Sequence, residues 1–380
     1  MRETLPVLSI AKLVAGGEGL GFQEGKAVFV PGALPGERVE VKITERHRDF
    51  DRAVLAEVLE PSPHRVPPGC RFAGTCGGCD WLHIGYEEQL RQKASIVREA
   101  LRRTARMDRE SVEIEPSPAF GSRSRAQVHR AAQEGLGYMA VGSHSVIAVD
   151  RCPIVDPSID RLFTGAAKAP EGLDRFTAFG HGDSLAVEGR DDDRDLRVTI
   201  AGREIIFSVG CFFQSNLAVL PRLASWALEG LQGEAVADLY CGVGLFGSFL
   251  AEGFSRIICV ERSAMSLSYA RRNVAGAANE FHPMSVEDWI VSGAARKNGP
   301  RLDAVVVDPP RAGLSPAVRA WLGDAAPGRL VYVSCNPVTL ARDLGVLVTG
   351  GFALEDLRLF DFYPQTSHVE AVARLRGPLP

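Results

Sequence analysis

Between residues 7 and 60 apolar and polar positions alternate in short runs, VLSIAKLV, KAVFV, RVEVKITER and AVLAEVLE, punctuated by turns such as PGALPGE. Period-two runs rich in β-branched residues and broken by Pro-Gly predict a small β-barrel of the OB kind. The proline-rich EPSPHRVPPG ends this unit, and the period then changes. From Tyr86 to Arg109 the apolar residues Leu90, Ile96, Val97 and Leu101 recur at helical spacing. The bases of that stretch, Arg91, Lys93, Arg98, Arg102, Arg103, Arg106 and Arg109, outnumber its acids, which reads either as a solvated helix face or as a patch for an anionic partner. A central region continues to about residue 200 and closes in the acidic, hairpin-like DDDRDLRVTIAG. Beyond it, strand-like and helix-like segments alternate as in a doubly wound parallel sheet, with AVADLYCGVGLFGSFLA, IICVERS, LDAVVVDPPRAG and RLVYVSCNP in turn. The expected organisation is an OB-like barrel over 1–62, a small central α+β domain over 63–202 that includes helix 86–109, and an α/β Rossmann-like domain over 203–380 on which that helix can pack.

Bulk properties restrict this picture only mildly. The 380 residues suit two or three domains, and no apolar run approaches the roughly 18–20 residues a membrane helix needs. The N-terminus lacks the apolar core and small-residue cleavage site of a secretory signal, so a cytoplasmic location without membrane attachment is expected. A net charge of −4 excludes a uniformly basic coat, leaving local patches for any RNA contact.

Cys70, Cys76 and Cys79 form C-x5-C-x2-C, with Gly74, Gly77 and Gly78 among them. Without an export signal this spacing favours thiolate ligation of a metal or cluster over disulfides. A fourth ligand is required; Cys152 in DRCPIVD is the best candidate, ahead of His64, His83 and His129. All-sulfur ligation suits zinc and iron–sulfur alike, so spacing leaves the choice open.

Ligands of doubly wound sheets sit at the carboxyl ends of the strands, where the polar motifs of the last domain fall. Gly242 and Gly244 form a glycine loop, and Gly247 falls at the G-x-G-x-x-G spacing of dinucleotide binders. Glu261 follows about 20 residues on, placed for ribose hydroxyls, which fits NAD and S-adenosylmethionine equally. Downstream residues separate the two. Asp288 in SVEDW, or its neighbour Glu287, is placed for an adenine amino group, and Asp308-Pro309-Pro310-Arg311 closes a strand. Cys335 in SCNP ends the next strand, and Glu370 in HVE opens the last. Cysteine and carboxylate without a general-base histidine do not make an acyl-transfer set. They do suffice for substitution at C5 of a pyrimidine: a thiolate adds to C6, C5 becomes nucleophilic, and a base then removes the C5 proton. Cys335 is the expected nucleophile and Glu370 the expected base, acting on a base flipped out of its stack.

FFQSN (212–216), DLYCGVGLFG, DPPRAG, SCNP and DFYPQTSHVE, in this order and together with the cysteine quartet, resemble the TrmA/RumA-type RNA 5-methyluridine methyltransferases, in particular the iron–sulfur members that act on bacterial 23S ribosomal RNA. The resemblance covers nearly the whole chain. It implies that the barrel is an RNA-binding TRAM domain, that Cys70, Cys76, Cys79 and Cys152 hold a [4Fe-4S] cluster, and that the last domain is an S-adenosylmethionine-dependent methyltransferase. It further implies cofactor contacts from Gln214, Tyr240, Gly242, Gly244, Leu245, Glu261, Asp288 and Asp308, a role in rRNA processing, and RNA contacts from Phe212 and Arg123 or Arg125. Tyr240 stands where phenylalanine is frequent, and Leu245 replaces a polar residue usual in that loop. A monomer with no obligate protein partner is expected. Transfer RNA is the alternative substrate. A dinucleotide oxidoreductase leaves SCNP and HVE without work, a silent RNA-binding scaffold leaves Cys335 and Glu370 unexplained, and a DNA cytosine methyltransferase carries its cysteine earlier in the sheet.

Overall fold

The computed structural model describes residues 5–132, 135–276, 278–297 and 302–378. The alternating N-terminal runs form strands Val7–Leu13, Gly19–Gln23, Lys26–Val30, Arg38–Arg46 and Phe50–Glu60, which close into a five-stranded barrel. Their inward residues, among them Leu8, Ile10, Val28, Val30, Val39 and Val41, fill its interior. Buried Glu37 accepts hydrogen bonds from the Leu34 and Ser62 amides and from Arg65, fastening the chain that leaves the barrel to its base.

That chain runs beneath the barrel and carries the cysteine loop. Trp81, fully buried, packs with Leu13 and Leu34 of the barrel and with Ile84 and Ile96, and its indole donates to the Gly17 carbonyl at 3.2 Å. Helix Tyr86–Ala100 follows, ending in a π-helical turn, Leu101–Ala105, that Arg106 stops in the left-handed conformation at φ 56°. Val97 and Leu101 join the core of the C-terminal sheet, so the helix packs on the last domain beside helix Pro337–Thr349. The basic stretch differs from a free patch. Arg91 pairs with Glu88, Arg102 and Arg103 pair with Glu99, and Lys93 is completely buried.

The central sheet has the order Ser184–Val187, Arg175–His181, Arg125–Arg130, Leu136–Met139, Val146–Ala148, with helix Pro157–Phe163 against it. The hairpin of Leu196–Ile200 and Arg203–Phe207, read from the sequence as the close of the central region, puts Val198, Ile205 and Phe207 into the core of the C-terminal sheet. That sheet has eight strands among the described residues, in the order Glu280–His282, Phe254–Val260, Gly233–Leu239, Ala304–Val307, Arg329–Ser334, Glu370–Arg376, Ala353–Phe360, Glu113–Glu115. The first five run parallel, whereas Glu370–Arg376 is antiparallel to both of its neighbours. Its strands are continuous apolar runs such as Ala304–Val307, as burial on both faces requires. Among the described residues no helix is long and apolar enough to cross a membrane.

Trp81→Ala removes the side chain that joins barrel, linker and helix, and is expected to cost about 3–5 kcal/mol. Chemical denaturation monitored by circular dichroism measures this; a loss below about 1 kcal/mol would show that the joint is not held by this packing.

Candidate active site

Strand Gly233–Leu239 ends in a tight loop. Tyr240 lies at φ 62°, an uncommon conformation for a bulky residue, followed by Gly242 at φ 53° and Gly244 at φ 81°. A Cβ on Gly244 would stand 3.0 Å from the Ala270 backbone, so glycine is required to bring helix Leu245–Leu250 against its neighbour. The Leu245 side chain is buried in the core, leaving only its backbone for a ligand. Gly247, the third glycine of the dinucleotide spacing, serves a local purpose: its amide donates to Asp238 Oδ2 at 2.8 Å, and a Cβ there would meet Val274 at 2.9 Å.

Acidic groups gather at this edge of the sheet. Asp238 is buried with Oδ1 lacking any hydrogen bond, and burial, reinforced by the Asp308 and Glu261 carboxylates, pushes its pKa up to about 7. Burial raises Asp308 to about 7 as well, and Gln214 donates to it at 3.4 Å. Glu261, just beyond Val260, accepts from the Gly242 amide at 3.2 Å and the Ser263 amide at 2.7 Å. Such a cluster attracts a cation and repels a pyrophosphate, which removes the dinucleotide reading. Asp288 is exposed at the start of helix Val286–Val291, where it exchanges hydrogen bonds with Ser285, while Glu287 is the neighbour whose charge reaches Tyr240.

The catalytic candidates meet through the antiparallel strand. In the pairing of Arg329–Ser334 with Glu370–Arg376, Ser334 stands opposite Ala371, so the next positions, Cys335 and Glu370, face one another across the pair. SCNP has a local logic: Ser334 Oγ accepts the Asn336 amide, and Asn336 caps helix Pro337–Thr349 through the Val338 and Thr339 amides and donates to the Arg311 carbonyl. Cys335 is thereby held at the turn, half-buried, beside a cleft of about 360 Å3 that Gly16 of the barrel, Gly78 and Asp80 of the cysteine loop, Arg311 and His368 also line. Burial pushes the Cys335 thiol up to about 11, with Glu370 and Asp308 adding to the rise and Arg311 opposing it. Glu370 is raised well above the usual carboxylate range by burial and by Asp308. In the ligand-free site Arg311 is thus outweighed by burial and by the two carboxyls.

Cys70, Cys76, Cys79 and Cys152 line one cavity together with Arg123 and Tyr138. His83 and His129 border an adjoining cleft that Cys79 also lines, and His64 lies near Glu88. Burial raises the Cys76 thiol, and raises Cys79 to about 12. Among the described residues no three His, Cys, Asp or Glu side chains converge closely enough to hold a single metal ion. The Tyr138 hydroxyl is buried beside this cavity, next to the Cys152 thiol.

In FFQSN, Phe213 stacks on Phe207 with centroids 4.1 Å apart, whereas Phe212 is exposed with the Arg125 guanidinium over its ring at 5.5 Å. Asn216 donates to Ser117 and to the Asp361 and Phe362 carbonyls, tying this loop to the segment that leads to Glu370. Cys211, Cys241 and Cys259 are buried, as their apolar surroundings in the sequence suggest. Asp238 escaped sequence reasoning, although an acid one residue before a strand's end is a usable signal. Lys93 was taken for surface charge, although its spacing from Gln89, Ile96 and Val97 places it on the apolar face.

Fold and site together define an S-adenosylmethionine-dependent methyltransferase carrying an N-terminal TRAM barrel. Residues 185–376 match the family described as tRNA (Uracil-5-)-methyltransferase, and residues 2–56 match the TRAM domain. The chain is 34% identical to an uncharacterized RNA methyltransferase of Bdellovibrio bacteriovorus, over 97% of its length and 94% of the relative's. It is 32% identical to the 23S rRNA (uracil(1939)-C(5))-methyltransferase RlmD of Pseudomonas fluorescens, over 96% of its length and 90% of the relative's. Its fold matches the Pyrococcus abyssi tRNA (uracil-54, C5)-methyltransferase in complex with S-adenosyl-L-homocysteine with a TM-score of 0.75 and 25% identity, covering 97% of this chain and 99% of that one. The chain belongs to the RNA uracil-5-methyltransferase family and is an RNA (uracil-C5)-methyltransferase that uses S-adenosylmethionine.

Because Asp238 and Asp308 titrate near 7, a cation bound between them gains as they ionise. Affinity for S-adenosylmethionine should rise about tenfold from pH 6 to 8 by titration calorimetry, and more steeply than for the uncharged thioether S-adenosylhomocysteine. Identical pH profiles for the two ligands would show that neither acid faces the sulfonium.

Proposed function

We propose that this protein methylates C5 of a uridine in 23S ribosomal RNA through a covalent bond from Cys335 to C6, with Glu370 removing the C5 proton. The observation that carries the reading is the register that sets Cys335 opposite Glu370 at the acidic edge of the sheet. The choice of 23S RNA is supported by RlmD proteins at about 30% identity across almost the whole chain. The fold shared with the tRNA (uracil-54, C5)-methyltransferase makes transfer RNA the second reading.

The steps follow from the groups present. The Cys335 sulfur adds to C6 of the flipped-out uracil, and the electrons of the C5–C6 double bond move into an enolate. S-adenosylmethionine, bound, supplies an electrophilic methyl and a positive sulfonium. C5 takes the methyl as its bond to the sulfonium sulfur breaks, leaving a neutral thioether and a tetrahedral C5 that carries one proton. Glu370 removes that proton, the C5–C6 double bond re-forms, and the C6–S bond breaks to return the Cys335 thiolate. Glu370 must be ionised at this point, and the Arg311 guanidinium, which lowers its pKa, is the positive charge that remains once the methyl has left. Gln214, Tyr240, Gly242, Gly244, Glu261, Asp288 and Asp308, with the Leu245 backbone, are the groups we assign to the cofactor. The barrel and Phe212 are assigned to RNA, and we read the protein as a cytoplasmic monomer.

We also assign a [4Fe-4S] cluster to Cys70, Cys76, Cys79 and Cys152. Four thiolates around one zinc stand about 3.8 Å apart, whereas a cubane separates its ligands further. The four cysteines line one cavity, which is the observation behind this assignment. The cluster's expected contribution is to cross-link the loop.

RNA containing 5-fluorouridine, which has no C5 proton to lose, should trap the enzyme covalently, with a 23S fragment reacting in preference to a tRNA arm. Cys335→Ala should form no adduct in denaturing gels, and Glu370→Gln should accumulate methylated, protein-bound RNA from ordinary substrate. An adduct of equal yield without Cys335 would sink the assignment. Protein purified without oxygen should contain about four iron and four sulfide per chain by chemical analysis; stoichiometric zinc in their place would overturn the cluster.

A further inference from the structure

The segment from Asp361 to Val369 connects the two antiparallel strands of the catalytic sheet and delivers Glu370, and its anchorage comes from helix Tyr86–Ala100. Lys93 and Asp361 side chains are both fully buried and joined at 2.6 Å. Lys93 also donates to the Tyr363 carbonyl at 2.8 Å, pinning the segment at a second point. The other Asp361 oxygen accepts from the Tyr86 hydroxyl at 2.8 Å. Gln89, fully buried one turn away, forms a double amide bond with Gln365: its amide nitrogen donates to Gln365 Oε1, and its oxygen accepts the Gln365 backbone amide, both at 2.9 Å. Gln365 itself sits at φ 65°, a conformation this bond helps hold.

A buried lysine is expensive to desolvate, and a well-packed apolar pair of the same volume is often as stable. Stability alone therefore gives little reason for a lysine on the inner face of this helix. What the ion pair supplies is direction. It fixes the segment at Asp361 and Tyr363, and the buried Tyr363 ring lies where the charges of Glu370 and Cys335 both reach it.

We propose that Lys93, with Tyr86 and Gln89, is a positioning residue for proton removal: it holds the 361–369 segment so that Glu370 meets the C5 proton after methyl transfer. The inference rests on the reading of Glu370 as the base. Loss of the anchor should leave thiol addition and cofactor binding largely intact and should slow the release of methylated RNA, because an ångström-scale displacement of a reacting group costs about a hundredfold in rate.

The test is a rapid-quench comparison of wild type, Glu370→Gln, the double variant Lys93→Met with Asp361→Asn, and Tyr86→Phe. The double variant removes both charges together, so no unpaired charge is left buried. Expected is release of methylated RNA slowed about tenfold to a hundredfold, with methylated adduct accumulating and cofactor affinity within about twofold of wild type. Tyr86→Phe, which keeps the ion pair, should show the same partition in smaller measure and decides the matter if the double variant does not fold. Wild-type partition between adduct and product in a folded variant overturns the proposal, as does equal slowing of adduct formation and release. If Glu370→Gln gives no methylated adduct, the base assignment itself fails; if it does while the anchor variants behave as wild type, only the present inference fails.

Discussion

Asp238, Glu261 and Asp308 stand at or next to the carboxyl ends of three neighbouring parallel strands, and the rest of the site answers to their charge. Among the described residues none of them forms an ion pair, and the two aspartates are pushed up to about 7. A buried acid without a cation either holds its proton or awaits a positive ligand. Burial, with the Glu370 and Asp308 carboxyls adding to it, pushes the Cys335 thiol up to about 11 in the free protein. In our reading a sulfonium entering beside Asp308 offsets the carboxylate part of that rise, which couples nucleophile to cofactor.

Placing an acid opposite that thiol is a topological problem. In a parallel sheet each strand sends its carboxyl end to the ligand edge, so the residue that opens a strand ordinarily lies at the far side. Glu370 opens its strand yet reaches the ligand edge because Glu370–Arg376 runs antiparallel to its neighbours. The cost of that reversal is a connection that must cross the edge and stop at a defined place. Lys93, Gln89 and Tyr86 hold it from below and Asn216 from the side. A helix read from sequence as part of the central region is in packing terms a component of the catalytic domain.

What the sequence made legible, and what it hid, follows from how far each feature reaches along the chain. The barrel strands, the glycine loop, DPPR and SCNP are local: their side chains act within a few residues of the turn that places them, and alternation or punctuation reveals them. The opposition of Cys335 and Glu370 depends on strand direction, which periodicity does not encode. Lys93 was misread because charge is expected outside, and its partner Asp361 lies far along the chain. Leu245 looked like a cofactor residue by position, but its side chain completes the core. The hairpin at 196–207 looked like the end of one domain because its approach is acidic, while the apolar alternation within it packs onto the next.

The cysteine loop can be placed in the same logic. Asp80, directly after Cys79, accepts the Ser367 amide at 2.9 Å, and Trp81 donates from its backbone to the Gln365 carbonyl and from its ring to Gly17, while its carbonyl accepts from Gln89 and the Ile84 amide. Gly17, at φ +87°, is packed so tightly that a Cβ would come within 2.6 Å of Ser367 and 2.8 Å of Asp80. Barrel, cysteine loop and catalytic segment thus share one joint, a few residues from His368 and Glu370. A short loop rich in glycine has little packing of its own with which to hold such a joint. Four thiolates on the cluster we propose would supply that rigidity.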